Sequence, residues 1–217
     1  MKKIVSSVSR FFEANSGLIA ILLIARRVWR RMISFVMARS LGAPGLYLGP
    51  GCRIIGSRRI CFGKGFHAER DLWLEAVTCW GPQSFLPEIE IGDHVYFSDG
   101  VHISSIESIR IGCGCLFGSK IYVSDHNHGI YRGEQQSSPD EPPPYRLLGG
   151  GGPVVIGENV WVGDNAVILG PATIGKGAIV GANSVVRGIV PGNTIVAGVP
   201  AKPIKVFNSA TGTWDKA

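Results

Sequence analysis

Hydrophobic residues recur every six positions in the C-terminal part of the chain. From Ile156 the sequence reads IGENVW VGDNAV ILGPAT IGKGAI VGANSV VRGIVP, and the first position of each hexad is aliphatic. The fifth position is small or β-branched in all six hexads, and glycine takes the second position in four of them. A period of six fits neither a strand, whose period is two, nor an α-helix, whose period is 3.6. The pattern instead predicts short strands joined by sharp corners, with one large side chain turned inward on each face.

Three such faces close one coil of about 18 residues, and parallel hydrogen bonding stacks successive coils about 4.8 Å apart. The same register continues upstream with inward positions at Leu48 and Ile54; Phe62, Ala68 and Leu74; Ile91, Phe97 and Ile103; and Ile111, Phe117 and Val123. Extra residues occur only between the last position of one coil and the first position of the next. The sequence therefore predicts that every insertion leaves from one edge, which in repeat proteins usually builds the binding face.

Composition agrees with a packed, many-cornered fold. Apolar residues make up 45% of the chain and charged residues 18%, which permits a real core and excludes wholesale disorder. Glycine accounts for 30 of 217 residues, about twice its average share of roughly 7%. Because glycine adopts positive φ without steric cost, this excess indicates many tight corners.

The positive charge is confined to one segment. Residues 1–40 carry a net charge of +7, whereas the remaining 177 residues carry −1. A nucleic-acid-binding domain would show its basic patch on the folded body. Nucleic acid is therefore excluded as the expected partner of the body.

Residues 1–45 are predicted to form a basic, amphipathic helical segment. Its apolar run, residues 17–25, is shorter than the roughly 20 residues that span a bilayer. Arg10 and Glu13 before this run, and arginines after it without a cleavage site, argue against a secretory signal. In a helix, one side would carry Arg26, Arg27, Arg30 and Arg31, and the other Trp29, Met32, Ile33 and Val36.

Two roles for this segment stay open. Residues 1–40 make peripheral contact with an anionic membrane, or the helix covers the open end of the repeat. The first role predicts a cytoplasmic protein on the inner face of the cytoplasmic membrane, and the second a cytoplasmic protein. Five cysteines, an odd number without zinc-site spacing, also predict reduced thiols and no metal site.

Three further motifs occur in order along the chain: IYVSDHNH at residues 121–128, IGENVWVG at residues 156–163 and AGVPAKPIK at residues 197–205. Together they resemble the motifs of the hexapeptide-repeat O-acetyltransferases. The sequence is similar to the galactoside and maltose acetyltransferases, and more so to enzymes that acetylate bacterial surface polysaccharides, over about residues 89–206. The resemblance implies an all-β, left-handed parallel β-helix after the N-terminal helical segment. It predicts an acyltransferase domain at residues 46–206 with an inserted loop at 129–153, and a C-terminal tail at 207–217.

The resemblance implies that acetyl-CoA donates an acetyl group to a sugar hydroxyl, in surface-polysaccharide biosynthesis, with His126 as general base. A neutral imidazole suits this role, because a sugar hydroxyl must lose its proton to attack a thioester near pH 7. Asp125 is a candidate to orient His126, but only if the chain bends there; a backbone carbonyl is the alternative. His128 either lines the acceptor pocket or faces solvent.

The resemblance also places acetyl-CoA, with no metal, along the C-terminal coils between subunits of a homotrimer. The matching positions are Trp161, Gly163, Asp164, Ala182, Arg187, Lys202 and Lys205. The three basic side chains suit phosphates, and N–H groups near Asp164 suit the thioester oxygen as it gains charge. The relatives' acceptor-binding Asn falls near Ser98 or Gly100, which leaves the acceptor sugar open.

The same fold is compatible with other functions. A zinc carbonic anhydrase needs paired histidines after the long loop, and residues 162–170 contain none. A small-molecule acceptor, such as an antibiotic or serine, would keep the chemistry and change the substrate. A non-catalytic scaffold is the third alternative, because repeat folds often only bind.

Overall fold

The computed structural model of the protein describes residue 14 and residues 16–217, so residues 1–13 and 15 of the predicted N-terminal segment lie outside the described residues. Helix α1 spans Gly17–Ser40, and short 3-10 turns cover Ser57–Arg59 and Pro143–Tyr145. The strands are β1 Tyr47–Leu48, β2 Arg53–Ile55, β3 Ile60–Phe62, β4 His67–Ala68, β5 Trp73–Ala76, β6 Cys79–Trp80, β7 Gln83–Ser84, β8 Glu88–Ile91, β9 Tyr96–Phe97, β10 His102–Ser105, β11 Ser108–Ile111, β12 Leu116–Phe117, β13 Tyr122–Ser124, β14 Asn127–His128, β15 Leu148–Gly149, β16 Val154–Ile156, β17 Trp161–Val162, β18 Val167–Ile174, β19 Ile179–Val180, β20 Val185–Val190, β21 Thr194–Gly198, β22 Ala201–Asn208 and β23 Thr213–Lys216. Within the described residues, no helix combines the length and the apolarity needed to cross a membrane.

A parallel sheet is curled into stacked, three-sided coils. Face A contains β1, β4, β9, β12, β17, β19 and β21; face B contains β2, β5, β10 and β13; face C contains β3, β8, β11 and β16. β18 bends from face B to face C, because its first residues pair with β13 and its last with β16. β20 follows the same bend in the next coil. The chain therefore has one edge, the BC edge, at which every coil passes from face B to face C.

The predicted register is confirmed by the strand pairing. On face A the paired inward residues are Leu48, Ala68, Phe97, Phe117, Val162 and Val180. On face B they are Ile54, Leu74, Ile103, Val123, Ile168 and Val186, and on face C Phe62, Ile91, Ile111, Ile156 and Ile174. These columns form one continuous core. Burying each large side chain contributes about 1.5–3 kcal/mol, which explains why the repeat holds its register.

The insertions leave from the BC edge, as the spacing predicts. The β6–β7 hairpin lies between β5 on face B and β8 on face C, and the long loop lies between β13 on face B and β16 on face C. The long loop has structure of its own, since β14 pairs with β15 in antiparallel fashion. The faces thus stay regular while one edge accumulates additional chain.

The C-terminal half of α1 covers the first coil. Ser34 is buried, and its hydroxyl oxygen accepts a hydrogen bond from the Leu48 N–H at 3.0 Å. Met37, Ala38 and Leu41 pack against the core. Unpaired strand groups at an open coil end attract other chains, so this cover removes an exposed edge.

Antiparallel strands continue the opposite end of the coiled body. β22 pairs with β21, and β23 pairs with β22. β22 runs across the boundary that the sequence analysis placed after residue 206. Residues 207–217 therefore continue the sheet instead of forming a separate tail, because Phe207 and Trp214 pair across the last two strands.

Candidate active site

Asp125 and His126 lie at the BC edge, directly after β13 ends at Ser124. Both side chains are buried, and His126 Nδ1 lies 2.9 Å from Asp125 Oδ1. Adjacent side chains in a strand point to opposite faces. The chain has left the strand here and bends, which is the condition under which the sequence allowed the two side chains to meet.

The Asp125 carboxylate is surrounded by donors. Ser105 Oγ donates to Oδ2 at 2.5 Å, and the backbone N–H groups of Ile106, Glu107 and Ser108 each donate at 2.9 Å. Burial by itself raises the pKa of Asp125, but hydrogen bonds from His126, Ser105 and the N–H groups of Ile106 and Glu107 lower the pKa below its usual range. The carboxylate is therefore ionised at neutral pH and acts only as an acceptor.

This network fixes the tautomer of the His126 imidazole. An ionised carboxylate has no proton to donate, so we assign the hydrogen of the neutral ring to His126 Nδ1 and the lone pair to Nε2. Ser124 Oγ, 3.3 Å from Nδ1, donates to the His126 carbonyl oxygen at 2.9 Å. In its neutral form the ring therefore presents a lone pair at Nε2, which is able to take a proton from a hydroxyl.

Two glycines let three chain segments approach at this edge. A Cβ atom at Gly151 would collide with the Asp125 carbonyl oxygen, and one at Gly170 would collide with the Gly152 carbonyl oxygen. The Gly152 N–H donates to that same Asp125 oxygen at 2.9 Å. The end of the long loop thereby contacts the Asp125 backbone directly, and the next coil supports that end of the loop through Gly170.

The β6–β7 hairpin and the long loop dock against each other beside the BC edge and together form one lobe. Gln83 exchanges two hydrogen bonds with the backbone of Leu148, at 2.7 and 3.0 Å, and Trp80 Nε1 donates to the Arg146 carbonyl oxygen at 3.0 Å. The Trp80 ring packs edge-on against His128, with 4.9 Å between ring centroids. His128 is exposed on this lobe, which agrees with the solvent-facing alternative for this residue.

His102 stands in an aromatic ladder on the outer side of face B. Its ring stacks on Trp73 at 4.2 Å and lies 5.0 Å from Tyr122. Burial between these rings lowers the pKa of His102, which favours its neutral form. The surroundings account for His102 as a packed residue of this face.

The residues expected to bind coenzyme A lie on two separate surfaces. Trp161 is half exposed on face A, and Gly163, Asp164 and Ala182 occupy turns that lead from face A to face B. The Asp164 carboxylate accepts a hydrogen bond from the Ser119 N–H at 2.7 Å. In a three-sided coil, face A is opposite the BC edge, so one chain does not bring these residues to His126.

The three basic residues expected to contact the phosphates of coenzyme A also lie on these two surfaces. Arg187 lies in β20 where that strand passes from face B to face C, two coils beyond Asp125 along the BC edge. Lys202 and Lys205 are exposed on β22, which extends face A. None of the three pairs with an acidic side chain in the part of the chain that the structure describes. Their charge is thus available to a phosphate.

Cysteines and metal-ligand residues are dispersed. All five cysteines are free thiols, including the neighbours Cys113 and Cys115. Among residue 14 and residues 16–217, no three His, Cys, Asp or Glu side chains gather in a group that would hold a metal ion.

Sequence reasoning missed Ser105 and the lobe contacts. A signal for Ser105 existed, because the predicted alignment of Ile103 with Val123 already sets Ser105 beside Asp125 in the next coil. Trp80 and Gln83 had no such signal, since they lie in an insertion outside the repeat.

Comparisons with known proteins agree with this architecture. The family model "Bacterial transferase hexapeptide (six repeats)" matches residues 153–188. The chain is 40% identical over 166 residues to the inferred lipopolysaccharide biosynthesis O-acetyl transferase WbbJ of Escherichia coli, which covers 76% of this chain and 81% of WbbJ.

Solved structures show the same fold. The N-acyltransferase AntD from Bacillus cereus, in complex with dTDP and 3-hydroxybutyryl-CoA, superposes with a TM-score of 0.61 at 19% identity, covering 78% of this chain and 84% of AntD. A hexapeptide-repeat acetyltransferase from Vibrio cholerae complexed with acetyl coenzyme A gives a TM-score of 0.51 at 26% identity, covering 94% of this chain and 87% of that protein. The register of the repeats and the extent of the match to WbbJ lead to one conclusion: the chain belongs to the hexapeptide-repeat O-acetyltransferase family and is an acyltransferase.

Proposed function

We propose that the protein transfers the acetyl group of acetyl-CoA to a sugar hydroxyl, with His126 as general base. The observation that carries the proposal is the buried chain of hydrogen bonds from Ser105 through Asp125 to His126 Nδ1. It fixes both the orientation and the tautomer of the imidazole. A base prepared in this way is what acyl transfer to a weak nucleophile requires.

The proposed reaction follows from the tautomer of His126, in which Nε2 carries the lone pair. His126 Nε2 removes the hydroxyl proton as the sugar oxygen attacks the thioester carbonyl carbon, which forms the new C–O bond. The carbon–sulfur bond then breaks, and the imidazolium returns the proton to the leaving thiolate. Asp125 stabilises the transient positive charge on the ring because it remains ionised throughout.

We assign acetyl-CoA to the expected set of Trp161, Gly163, Asp164, Ala182, Arg187, Lys202 and Lys205. Exposed cations without acidic partners among the described residues fit the phosphates of this co-substrate. N–H groups near Asp164 would face the thioester oxygen. AntD and the Vibrio cholerae acetyltransferase were crystallised with CoA derivatives, which supports the same class of donor here.

The division of these residues between two surfaces supports a homotrimer. A neighbouring copy would bring its face A against the BC edge of the first copy and complete the site. We also propose that the coils wind left-handed, as the resemblance implies. Light scattering that reports three copies would support the assembly, and a stable, active monomer would refute it.

The acceptor is proposed to be a glycan of surface-polysaccharide biosynthesis. WbbJ carries lipopolysaccharide biosynthesis in its name, and AntD was crystallised with dTDP, the nucleotide of an activated sugar. A panel of glycans, sugar nucleotides, serine and aminoglycoside antibiotics with acetyl-CoA, followed by free-thiol release, tests the class. Turnover only with serine or an antibiotic would replace the glycan, and no turnover at all would favour a scaffold.

The base is tested by His126→Ala. We expect kcat to fall by roughly 10²–10⁴, since general-base catalysis contributes about that much, while acetyl-CoA still binds. His128→Ala is the matched control, because His128 is exposed and packs on Trp80 instead of Asp125. A loss in the control as large as that in His126→Ala, or near-normal turnover in His126→Ala, would contradict the assignment.

A further inference from the structure

Helix α1 carries a continuous apolar stripe on the side opposite to the coiled body. The buried or half-buried residues of its C-terminal half, among them Ile33, Ser34 and Met37, recur every three or four positions and face the first coil. The apolar stripe consists of Leu18, Ile21, Leu22, Ala25, Val28, Trp29, Met32, Phe35 and Val36. Its large side chains are exposed, for example Trp29 at 61% and Val36 at 65%. Ile33, expected on the apolar side, is thus found on the side of the body.

A stripe of this length is not explained by the folding of one chain. Soluble proteins rarely expose contiguous apolar surface without a partner, and such a surface usually marks an interaction site. The stripe also lines a shallow groove with Arg27 and Arg31 at its border. Arg31 reaches back over the Tyr47 ring at 4.9 Å, so the helix is held to the body along one side while the stripe points away.

The charge around the stripe indicates what covers it. Between residues 14 and 68 the chain contains nine lysines and arginines and no aspartate or glutamate. Five of these cations are on α1, and exposed Arg53, Arg58, Arg59 and Lys64 lie in the first coils beneath it. The end of the molecule that carries the apolar stripe is therefore predominantly positive, with Glu69 near Arg27 and Asp71 beside Gly51 as its nearby acidic residues.

We propose that this end of the molecule binds the surface of an anionic phospholipid bilayer. The apolar stripe would enter the boundary between headgroups and acyl chains, with Trp29 at the interface, and the flanking arginines would meet lipid phosphates. Each basic residue near such a surface strengthens binding by roughly fivefold. A second copy of the same helix is a poorer partner, because its like charges repel.

The consequence for activity rests on the proposed function, whereas the binding itself does not. A bilayer surface is where lipid-linked glycans are presented, so the helix would bring the BC edge to such acceptors. The vesicle experiment below requires no turnover. Its failure would leave the acyl-transfer assignment intact, and the reverse also holds.

The test is sedimentation of the full chain with vesicles of phosphatidylcholine alone and with vesicles that contain phosphatidylglycerol. We expect binding to the anionic vesicles, weakened by added salt. The double variant Trp29→Glu/Val36→Glu should lose it by at least tenfold. The matched control is Leu86→Glu/Ile189→Glu, which adds the same charge at sites 74% and 82% exposed outside α1 and should bind as the wild type does.

A second variant measures the electrostatic contribution to vesicle binding separately from the apolar contribution. Arg26→Gln/Arg39→Gln leaves the apolar stripe intact and should weaken binding to anionic vesicles by about 30-fold. Circular dichroism and light scattering of each variant show whether the fold and the assembly persist. The proposal is overturned if the wild type does not sediment with anionic vesicles. It is equally overturned if Trp29→Glu/Val36→Glu instead dissociates an assembly of copies, because the stripe would then be covered by the protein itself.

Discussion

The BC edge and the three faces of the coiled body are built on opposite principles. On the faces, alternation sends one set of side chains inward, and the interior columns are filled by aliphatic and aromatic residues. At the BC edge the chain leaves the strand geometry, and a charged carboxylate is buried with a full set of donors. The faces therefore tolerate exchange among apolar residues of similar volume, whereas the edge depends on particular partners.

Insertions sharpen the contrast. Faces repeat with little variation from the first coil to the last, but the BC edge carries the hairpin, the long loop and the Asp125–His126 network. A regular scaffold fixes the position of an irregular edge, which is how rigid elements support reactive groups in many enzymes. Changes at the edge should therefore lower kcat, whereas exchanges among the inward-facing apolar residues of the faces should alter only stability.

The largest effect is expected from Asp125→Asn. We expect kcat to fall by roughly 10²–10⁴, because an amide no longer fixes the His126 tautomer or stabilises the imidazolium. The free energy of unfolding should fall by about 1–3 kcal/mol, since the N–H donors around it lose part of their acceptor. Kinetics and urea unfolding measure the two quantities. Asp93→Asn, at a regular corner between faces C and A, is the control, because the exposed Asp93 carboxylate accepts one N–H, from Lys64; equal losses in both variants would erase the distinction between the BC edge and the regular coil.

A pair of glycine substitutions compares the BC edge with a regular corner of the coil. Gly151→Ala would push the new Cβ into the Asp125 carbonyl oxygen, while Gly157→Ala would place it 2.6 Å from the Lys176 nitrogen on a regular corner. Both should lower the urea midpoint. Only Gly151→Ala should also lower kcat, by about tenfold to 10²-fold, because small displacements of catalytic groups are costly. Equal kcat values for the two variants would show that the edge tolerates such displacement.

Low pH should destabilise the protein because Asp125, at the BC edge, becomes protonated. Its pKa is lowered in the folded protein, so its stabilising contribution is present above the unfolded value of about 3.9 and is lost as pH falls below it. The stability difference between the wild type and Asp125→Asn should therefore be constant near pH 7 and shrink below about pH 4. Urea midpoints of both proteins across this range measure the difference. A stability difference that grows as the pH falls would contradict the prediction.

The smallest effect is expected on face A. Lys202→Ala/Lys205→Ala should raise KM for acetyl-CoA by roughly two- to tenfold with kcat unchanged, since exposed ion pairs contribute about 0–1 kcal/mol each. Added salt should reduce the difference from the wild type. Lys64→Ala, on an exposed lysine at the other end of the body, is the control for lost charge. A fall in kcat without a change in KM would contradict a role for these lysines in binding acetyl-CoA.

The sequence by itself determined the coil register. Period-six apolar positions stack only when equivalent residues pair in parallel, so Ile103 must meet Val123 and Phe97 must meet Phe117. The same spacing set the insertions on one edge, and the family motif singled out His126. These features follow from local repetition, which a linear sequence displays in full.

Only the tertiary structure decided what the BC edge does with those residues. The bend after Ser124 turns Asp125 toward His126, and it depends on the close approach of Gly151 and Gly170 from distant parts of the chain. The docking of Gln83 on Leu148 joins two insertions that share no pattern. Alternation and period describe a chain inside a repeat; where the chain leaves the repeat, contacts between residues far apart in sequence determine the direction of each side chain.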